Sequence, residues 1–313
     1  MKPAPPSTPG RRTLPVWVWL VFAALPWAWF LLRDTLPLLD AVSVVLPIVG
    51  VVALVVGGVV AITTARLLPL VTGVSAFAAV AFAVLGPRSP EPAAQPVMPI
   101  RIAAANIARA DGDARGAVDA LSDRRADVLV VVEMPRSFGD TLERASPELR
   151  HHQIQGEIGV WSRWPIRDLP LPDGFLGSRV FRVRVDAEAP FVLYAVHAQN
   201  PLYEESFADQ QRLDRALAAA AAREELPVVV AGDLNLSDRA GGYRILTGVY
   251  RDAMRAGVWA TDTYRLHIWR ALLLRIDHVF VPATWCAMNP EVFPIPTSDH
   301  EGIAATIGPC PGA

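Results

Sequence analysis

Acidic and amide side chains close two of the most apolar stretches of the chain. VLVVVEM ends on Glu133 and Met134, and VVVAGDLN ends on Asp233 and Asn235. An ionised carboxylate at the end of a buried strand is costly unless a cation or a hydrogen-bond donor lies beside it. Residues two apart on a strand point to the same face, so Asp233 and Asn235 are expected to project into one site.

Two Asp-His pairs follow, Asp277-His278 in RIDHVFVP and Asp299-His300 in TSDHEGIAA. Strand alternation predicts that His278 faces away from Asp277 and packs in the interior. The carboxylate and amide oxygens suit magnesium or manganese, and no His/Cys cluster or HExxH pattern indicates zinc. Each motif alone is weak, because strand-end acids also serve as caps and ion-pair partners.

The elements that must hold these residues alternate between strands and helices. Helical spacing occurs in DARGAVDALSDRRA and ESFADQQRLDRALAAAAAREE. Runs with β character are IRIAAANIA, ADVLVVVEM, GVWSRWPI, SRVFRVRVDA, PFVLYAVHAQNP, PVVVAGDLN and RIDHVFVP. Strands interleaved with fewer helices predict a layered α/β domain.

Seven motifs occur in a characteristic order: AANIA, VVVEM, GVWSRWPI, YAVHAQNP, VVVAGDLNLS, RIDHVFV and TSDHEGIAA. In this order they resemble the endonuclease/exonuclease/phosphatase family, metal-dependent phosphoesterases that include DNase-like nucleases, neutral sphingomyelinases and inositol polyphosphate 5-phosphatases. The resemblance runs from Arg101 to Thr306. It implies a four-layered α/β sandwich of the DNase I type, with two packed mixed β-sheets flanked by helices.

The resemblance implies a metal site. Glu133 would be the principal ligand of Mg²⁺ or Mn²⁺, with Asn106 beside it and Asp299 completing or neighbouring the metal shell. Such a metal polarises phosphoryl oxygens and neutralises the charge that develops in the transition state.

The resemblance also implies catalytic roles for three residues. His300 would be the general base or proton relay, and Asp277 would fix its tautomer and orientation. Asp233 would position or activate the attacking water.

Three further residues are matched by the family motifs. His197 and Asn235 would donate hydrogen bonds to the phosphate. Arg163 in WSRWP would contact the substrate, although an ion pair behind the site is at least as good an interpretation.

Three long uncharged runs precede this domain: Thr13 to Leu32, Ala41 to Ala65 and Leu67 to Pro87. About 20 apolar residues suffice to cross a bilayer, so we expect three transmembrane helices within residues 1–87. A cleaved signal peptide would account for one run and not for three.

The charges that flank these runs predict an orientation. Lys2, Arg11, Arg12 and Arg66 lie on one side and Arg33 and Arg88 on the other. This asymmetry predicts a cytoplasmic amino terminus and, after three crossings, an extracytoplasmic catalytic domain of a multi-pass membrane protein.

Cys286 and Cys310 are the only cysteines. They would form one disulfide in an oxidising compartment, or remain two small apolar residues, and the sequence leaves both interpretations open.

The stretch RSPEPAAQPVMP, residues 88–99, is dense in proline and predicts a stiff extended linker. At about 3.1 Å per residue it spans less than about 40 Å, which holds the catalytic domain, residues 100–313, close to the bilayer. That domain has more acidic than basic residues, which is a poor footprint for a general nucleic-acid binder.

The arrangement of three spans and this domain resembles bacterial membrane phosphoesterases associated with glycopeptide (teicoplanin) resistance. The resemblance implies a phosphorylated lipid in the bilayer as partner and substrate, of the polyprenyl (undecaprenyl) diphosphate type. Two alternatives remain open: an extracytoplasmic Mg-dependent nuclease or phospholipid phosphodiesterase, and a non-enzymatic membrane scaffold.

Overall fold

A computed structural model describes residues 14–32, 37–108, 113–135, 137–175, 179–200, 204–265 and 272–312, with the backbone alone at 37–41 and 204–207. The helices are α1 (Val16–Leu32), α2 (Pro37–Thr64), α3 (Leu67–Leu85), α4 (Ala114–Ser122), α5 (Phe138–Ala145), α6 (Glu204–Arg223) and α7 (Gly241–Thr247). The strands are β1 (Ile100–Asn106), β2 (Val128–Val132), β3 (His151–Gln155), β4 (Ile158–Ser162), β5 (Ile166–Asp168), β6 (Val180–Val185), β7 (Phe191–His197), β8 (Val228–Asp233), β9 (Tyr250–Asp252), β10 (Asp277–Pro282), β11 (Trp285–Pro294) and β12 (Glu301–Pro309).

The strands form two six-stranded sheets. The first has the order β11-β12-β1-β2-β4-β3 and the second the order β5-β6-β7-β8-β10-β9. Each sheet contains one parallel pair, β1 with β2 and β7 with β8. Helices α4 and α6 connect these pairs, because a parallel connection must return the chain to the starting edge of the sheet.

Apolar side chains fill three layers between and outside the sheets. Val130 belongs to the cluster between the two sheets. Leu121 and Leu142 join the first sheet to α4 and α5, and Leu217 and Leu246 join the second sheet to α6 and α7. The resulting order of helices, sheet, sheet and helices confirms the prediction of two mixed sheets flanked by helices.

One predicted strand is wrong. GVWSRWPI divides between β4 in the first sheet and β5 in the second. The chain changes sheet at Arg163–Pro165, where the Trp164 N–H donates to Ser162 Oγ at 3.0 Å. Pro165 has no N–H with which to continue a ladder, so the run cannot form one strand.

Three apolar helices precede the sheets, and two of them contain stretches long and apolar enough to cross a membrane, Val42–Thr64 and Leu67–Arg88. Helix α1 is apolar but has 17 residues, fewer than the roughly 20 that a bilayer requires. The expectation of three transmembrane helices is therefore supported for α2 and α3 alone. In this antiparallel pair a Cβ on Gly73 would lie 2.6 Å from the Ala53 carbonyl oxygen, so only glycine permits the close approach.

The segment predicted to be a linker, residues 88–99, is bonded to the catalytic domain and is called the strap below. Its backbone N–H groups donate from Glu91 to Arg255, from Ala94 to Ala287 and from Val97 to Pro309, at 2.8, 3.3 and 2.9 Å. A free, fully solvated tether would make none of these bonds. The strap therefore holds the domain in one position relative to the end of α3.

Arg88 joins α3 to the catalytic domain. Its side chain is 6 % exposed, and it pairs with Asp238 at 2.6 Å and with Asp262 at 2.5 Å. Its third nitrogen donates to the Leu273 carbonyl oxygen at 2.5 Å. Because all three guanidinium nitrogens are bonded, Arg88 fixes both the position and the orientation of the α/β domain relative to α3.

The strap runs from one end of the sandwich to the other. It begins at Arg88 beside Asp238, which lies just beyond the carboxyl end of β8, and it ends where β1 begins at Ile100. Strand β1 then returns, and the Asn106 side chain at its end contacts Asp233 at the end of β8. The carboxyl ends of the parallel strands therefore face the end of α3.

The other end of the sandwich carries a disulfide between Cys286 and Cys310, whose Cα atoms are 4.9 Å apart. Cys286 lies near the start of β11, and Cys310 directly follows β12. Of the two open interpretations of the cysteines, the structure has the bonded pair.

A buried polar network lies behind β10. Arg275 pairs with Asp252 at 2.6 Å and donates to Tyr243 Oη at 3.0 Å. His278 is fully buried and stacks on Phe280, with ring centroids 5.2 Å apart, as its expected packing role requires. Its Nδ1 accepts from Arg275 at 3.2 Å, so its Nε2 carries the proton donated to the Leu236 carbonyl oxygen at 2.8 Å. The contact with Arg275 requires the neutral ring, because a protonated Nδ1 could not accept.

Acid is expected to destabilise the fold through His278. Burial, together with the charge of Arg275, lowers the pKa of His278 to about 4, against about 6.5 in an unfolded chain. The unfolded state then binds more protons below about pH 6.5, so this contribution is present above that pH and is lost as the pH falls through 4, up to about 3 kcal/mol. His278→Gln keeps one donor and one acceptor without titrating, and chemical unfolding from pH 7 to pH 4 should show a shallower loss for it. Parallel profiles for the two proteins would contradict the assignment.

Candidate active site

A cavity of about 690 Å³ opens where the parallel strands end. Six residues singled out in the sequence line it: Glu133, His197, Asp233, Asn235, Asp299 and His300. Glu133 directly follows β2, and His197 and Asp233 end β7 and β8. Ligand sites commonly form at the carboxyl ends of parallel strands, where side chains of separate strands converge.

Asn106 holds two carboxylates together. Its Nδ2 donates to Glu133 Oε1 at 2.9 Å and to Asp233 Oδ2 at 3.0 Å. Its Oδ1 accepts from the Ala108 backbone N–H at 2.9 Å. Asn106 therefore positions the two carboxylates, and its Oδ1 keeps a second lone pair for the expected metal contact.

Glu133 is held in a strained and strongly ionised state. Its backbone φ of 53° lies in the left-handed region, which is uncommon outside glycine and often marks functional sites. Hydrogen bonds from His197 and Asn106 outweigh partial burial and hold its pKa at about 2. The carboxylate is therefore charged and available to a cation across the physiological pH range.

His197 bridges two carboxylates. Its Nε2 lies 3.2 Å from Glu133 Oε1, and its Nδ1 lies 2.6 Å from Glu157 Oε1. Burial would lower the pKa of His197, but the bond to Glu133 and the charges of Asp233 and Glu157 raise it. Both ring nitrogens therefore face acceptors, and the expected hydrogen bond to phosphate would replace one of these contacts.

Asp233 and Asn235 lie together, but for a different reason from the expected strand alternation. β8 ends at Asp233, and Asn235 turns back with φ 48°. Its backbone N–H donates to Asp233 Oδ1 at 2.8 Å. Its Nδ2 donates to the Ala198 carbonyl oxygen at 2.9 Å and lies 3.3 Å from Asp233 Oδ2. Asn235 therefore orients Asp233, and its amide N–H groups are not free for the predicted bond to phosphate.

Gly232 makes this turn possible. Its φ is 131°, and a Cβ there would lie 2.2 Å from the Val196 carbonyl oxygen on β7. Any side chain would force β7 and β8 apart. Asp233 is itself fully buried, and burial raises its pKa to about 6.

Asp277 and His300 form the predicted contact between β10 and the start of β12. His300 Nδ1 lies 2.9 Å from Asp277 Oδ2, and His300 Nε2 lies 3.8 Å from Asp233 Oδ2. Burial alone would lower the pKa of His300, but the charges of Asp277 and Asp233 raise it to about 10. The Nδ1 proton is donated to Asp277, so Nε2 is the nitrogen directed to Asp233.

Asp299 lines the cavity beside Tyr264. The Tyr264 hydroxyl donates a hydrogen bond to the Asp299 carboxylate. Burial, reinforced by Asp299, raises the pKa of Tyr264 to about 12, so the phenol keeps its proton. Tyr264 also packs edge-on against the His300 ring, with centroids 5.0 Å apart. No motif in the sequence singled out this tyrosine, because it stands in an irregular segment.

Two groups of side chains have the spacing of metal ligands. Donor atoms of Glu133, His197 and Asp233 lie within 4.8 Å of one another, and so do those of Asp233, Asp277 and His300. Asp299 belongs to neither group among the described residues. Two carboxylates held at this distance, mainly with oxygen donors, fit a hard divalent cation such as Mg²⁺ or Mn²⁺.

Arg163 does not lie at this site. It forms a half-exposed ion pair with Asp127 at 3.0 Å. Asp127 precedes β2 and Glu133 follows it, so the two acids are separated by about 20 Å of extended chain. The expected substrate contact is wrong, because β4 runs antiparallel to β2 and carries Arg163 to the opposite end of the sheet.

Arg179 is the cationic residue that the sequence did not single out. Among the described residues it is the only Arg or Lys that lines the cavity, and its guanidinium lies 3.9 Å from Glu157. Its backbone carbonyl accepts from the His197 N–H at 3.0 Å, which fixes it beside the site. SRVFRVRV contains several arginines, and only the pairing of β6 with β7 shows that Arg179 is the one beside the site.

Replacing Arg179 with alanine is expected to lower kcat/KM for a phosphorylated substrate by about 10–100-fold, the worth of a charge-assisted hydrogen bond. Arg163→Ala is the matched control and is expected to stay within about twofold, since surface ion pairs contribute little. Steady-state kinetics measures kcat/KM for both variants. Equal losses of kcat/KM would contradict the assignment of Arg179 to the site.

Part of the cavity wall comes from α2, a helix of the amino-terminal region. Ser43, Val44 and Val45 of α2 line the same cavity as the catalytic candidates. They stand at the start of Val42–Thr64, one of the two stretches apolar enough to cross a membrane. On the domain side, Leu272 and Leu274 add apolar surface. The cavity therefore joins a polar, acidic end to an apolar wall.

The family model of the endonuclease/exonuclease/phosphatase family matches residues 103–300. This stretch contains all the acidic, amide and histidine side chains of the site, and the cavity wall from α2 lies outside it. The chain belongs to the endonuclease/exonuclease/phosphatase family. Its members are typically metal-dependent phosphoesterases and nucleases, which agrees with the cation-binding geometry of Glu133 and Asp233.

Solved structures of this family have the same fold. An endonuclease/exonuclease/phosphatase from Beutenbergia cavernae is 20 % identical, with 69 % of this chain and 73 % of that chain covered and a TM-score of 0.52. An AP endonuclease from Archaeoglobus fulgidus is 15 % identical, covering 66 % and 98 %, with a TM-score of 0.54. A humanized D. rerio TDP2 is 17 % identical, covering 67 % and 99 %, with a TM-score of 0.52. No curated protein matches the chain by sequence.

Proposed function

We propose that this protein is a membrane-anchored, Mg²⁺-dependent phosphoesterase that hydrolyses a phosphorylated lipid at the outer surface of the membrane. The preferred substrate is a polyprenyl diphosphate of the undecaprenyl type, and its hydrolysis would link the protein to glycopeptide resistance. One observation carries the lipid assignment: a single cavity is lined both by Glu133 and Asp233 and by Val44 and Val45 of α2.

The shape of this cavity matches an amphiphile. A diphosphate requires cations and hydrogen-bond donors, which Arg179 and His300 supply. An isoprenoid chain requires apolar surface that continues into the bilayer, and Val45 and Leu274 provide such surface. A soluble nuclease would gain nothing from a cavity wall built by a helix of membrane-spanning length.

The chain's own residues divide the chemistry among them. A divalent cation held by Glu133 and Asp233 would polarise the phosphoryl oxygens and neutralise developing charge. Asp233, buried and oriented by Asn235, lies where it can accept a proton from the attacking water. His300 is held by Asp277 and carries its Nε2 toward the reacting group, where it stabilises negative charge. Phosphoryl transfer depends on positioning and electrostatics of this kind.

Two features support an extracytoplasmic site. The Cys286–Cys310 disulfide is typical of oxidising compartments. The charges that flank the apolar runs, with Lys2, Arg11, Arg12 and Arg66 on one side against Arg33 and Arg88 on the other, favour a cytoplasmic amino terminus and hence the same location.

The test is a substrate panel with the full-length protein in detergent and Mg²⁺. Polyprenyl diphosphate, a phospholipid and duplex DNA are offered separately, with Glu133→Ala as the inactive control. We expect release of inorganic phosphate from the lipid diphosphate. Cleavage of DNA or of the phospholipid by the same site, with no release from the lipid diphosphate, would replace this proposal with the nuclease or the phospholipid phosphodiesterase.

A further inference from the structure

Three exposed apolar side chains surround the end of α3. Val258 and Trp259 are 43 % and 56 % exposed, and Leu273 is 39 % exposed. Single exposed apolar residues are common on protein surfaces. The position of these three relative to the membrane-spanning stretch is what distinguishes them.

Two hydrogen bonds clamp the Val258–Trp259 loop to the strap. The Gly257 N–H donates to the Glu91 carbonyl oxygen at 2.8 Å, and the Ala260 N–H donates to the Arg88 carbonyl oxygen at 3.1 Å. Arg88 is the last residue of the stretch Leu67–Arg88 that is long and apolar enough to cross a membrane. The Trp259 Cα is bonded through one carbonyl to the Ala260 nitrogen, so it lies within about 6 Å of the Arg88 carbonyl oxygen.

Leu273 reaches the same place from another part of the chain. Its carbonyl oxygen accepts the bond from Arg88 Nη2. Its backbone has φ 51°, a left-handed conformation that is rare for leucine and persists only where surrounding contacts impose it. Its neighbours Leu272 and Leu274 line the catalytic cavity. The exposed leucine therefore stands between the end of α3 and the wall of the active site.

We infer that Val258, Trp259 and Leu273 form a membrane-contact patch that inserts into the headgroup region of the lipid bilayer. The inference rests on the membrane anchoring in the proposed function. Tryptophan is enriched at membrane interfaces because its ring is apolar and its N–H remains hydrated. The patch holds the cavity wall at Leu272 and Leu274 against the lipid surface, so that a lipid headgroup enters the cavity without crossing water.

A single fluorescent label tests the patch directly. Both native cysteines are joined in the disulfide, so a cysteine introduced by Trp259→Cys is the only free thiol. The full-length protein is labelled with an environment-sensitive dye and reconstituted in phosphatidylethanolamine–phosphatidylglycerol vesicles. Nitroxide lipids labelled near the headgroup are expected to quench this dye at least about twofold more than a dye at the control site, given interfacial burial of about 5–10 Å.

Glu188→Cys is the matched control. Glu188 is exposed in the turn between β6 and β7, at the end of the sandwich opposite the active site. Its dye is expected to be quenched by aqueous iodide and not by nitroxide lipids. Equal iodide quenching of the two dyes, with no quenching of either by nitroxide lipids, would overturn the inference.

Activity measurements on Trp259 variants distinguish a role in membrane contact from a role in hydrolysis. Trp259→Asp is expected to lower turnover of polyprenyl diphosphate in vesicles several-fold, while Trp259→Tyr retains it. A water-soluble, short-chain isoprenoid diphosphate should be hydrolysed equally by both variants. If polyprenyl diphosphate is not a substrate at all, the quenching measurement still decides the patch, because it requires no turnover. In that case, quenching by lipid at residue 259 would support the membrane-contact patch, and only the proposed substrate would be wrong.

Discussion

Replacing His300 with alanine is expected to lower kcat by about 10²–10³-fold, the usual worth of one group that stabilises the charge developing in the transition state. His300 is buried, bonded through Nδ1 to Asp277 at 2.9 Å, and directed through Nε2 to Asp233. The substitution removes the imidazole and leaves the hydrogen bonds from Asn106 to Glu133 and Asp233 in place. Steady-state kinetics with saturating Mg²⁺ measures the loss, and Mg²⁺ affinity should stay near that of the unmodified protein.

The variant Asp277→Asn tests whether Asp277 acts through His300. The amide can present its N–H to Nδ1 and select the wrong tautomer, so a loss comparable to that of His300→Ala is expected. Residues that act as a unit are not additive, and the double variant should therefore be no slower than His300→Ala alone. His278→Gln is the control on the same strand, because its ring points into the opposite side of the sheet. Additive losses would show that Asp277 does not act through His300.

Replacing Glu133 with glutamine is expected to abolish most activity by weakening cation binding. The substitution preserves shape but removes the charge of one of two carboxylates whose oxygens lie within the 4.8 Å group. Isothermal titration with Mg²⁺ or Mn²⁺ should show an affinity about 10–100-fold lower or no binding, the range found when a metal site loses supporting groups. Activity should partly return at high metal concentration.

Glu157→Gln is the control for this measurement. Glu157 bonds His197 Nδ1 and belongs to neither metal-spaced group among the described residues. Its loss is expected to change metal affinity by less than that of Glu133. Unchanged affinity in Glu133→Gln would mean that the cation is held elsewhere, and the assignment of the site would then be wrong.

The sequence predicted the layers and the meeting of most site residues because both depend on short, local patterns. The run VLVVV is buried on both sides in β2, and Glu133 follows it. The helical spacing in DARGAVDALSDRRA and ESFADQQRLDRALAAAAAREE became α4 and α6. The contact between Asp277 and His300 was expected from the family motifs, and the pairing of β10 with β8 brings Asp277 opposite Asp233.

The errors arise where the structure depends on distant contacts. β12, EGIAATIGP, has small residues and two glycines, and it becomes a strand because β1 and β11 pair on either side of it. Arg163 was placed by motif alone, and only the antiparallel direction of β4 shows that it lies at the far end. The sequence also did not predict the backbone partners of the two asparagines, Ala108 for Asn106 and Ala198 for Asn235, which lie close only in the folded chain.

The strap has a consequence for how substrate concentration acts on this protein. A flexible tether would let the domain sample a hemisphere of solution, and its sites would then respond to soluble ligand. Here Arg88, buried between Asp238 and Asp262, and the bonds from Glu91 to Val97 remove that freedom. For the lipid substrate proposed above, the rate should therefore follow the number of substrate molecules per unit area of membrane. Diluting that lipid with inert lipid should slow the reaction even when its bulk concentration is constant.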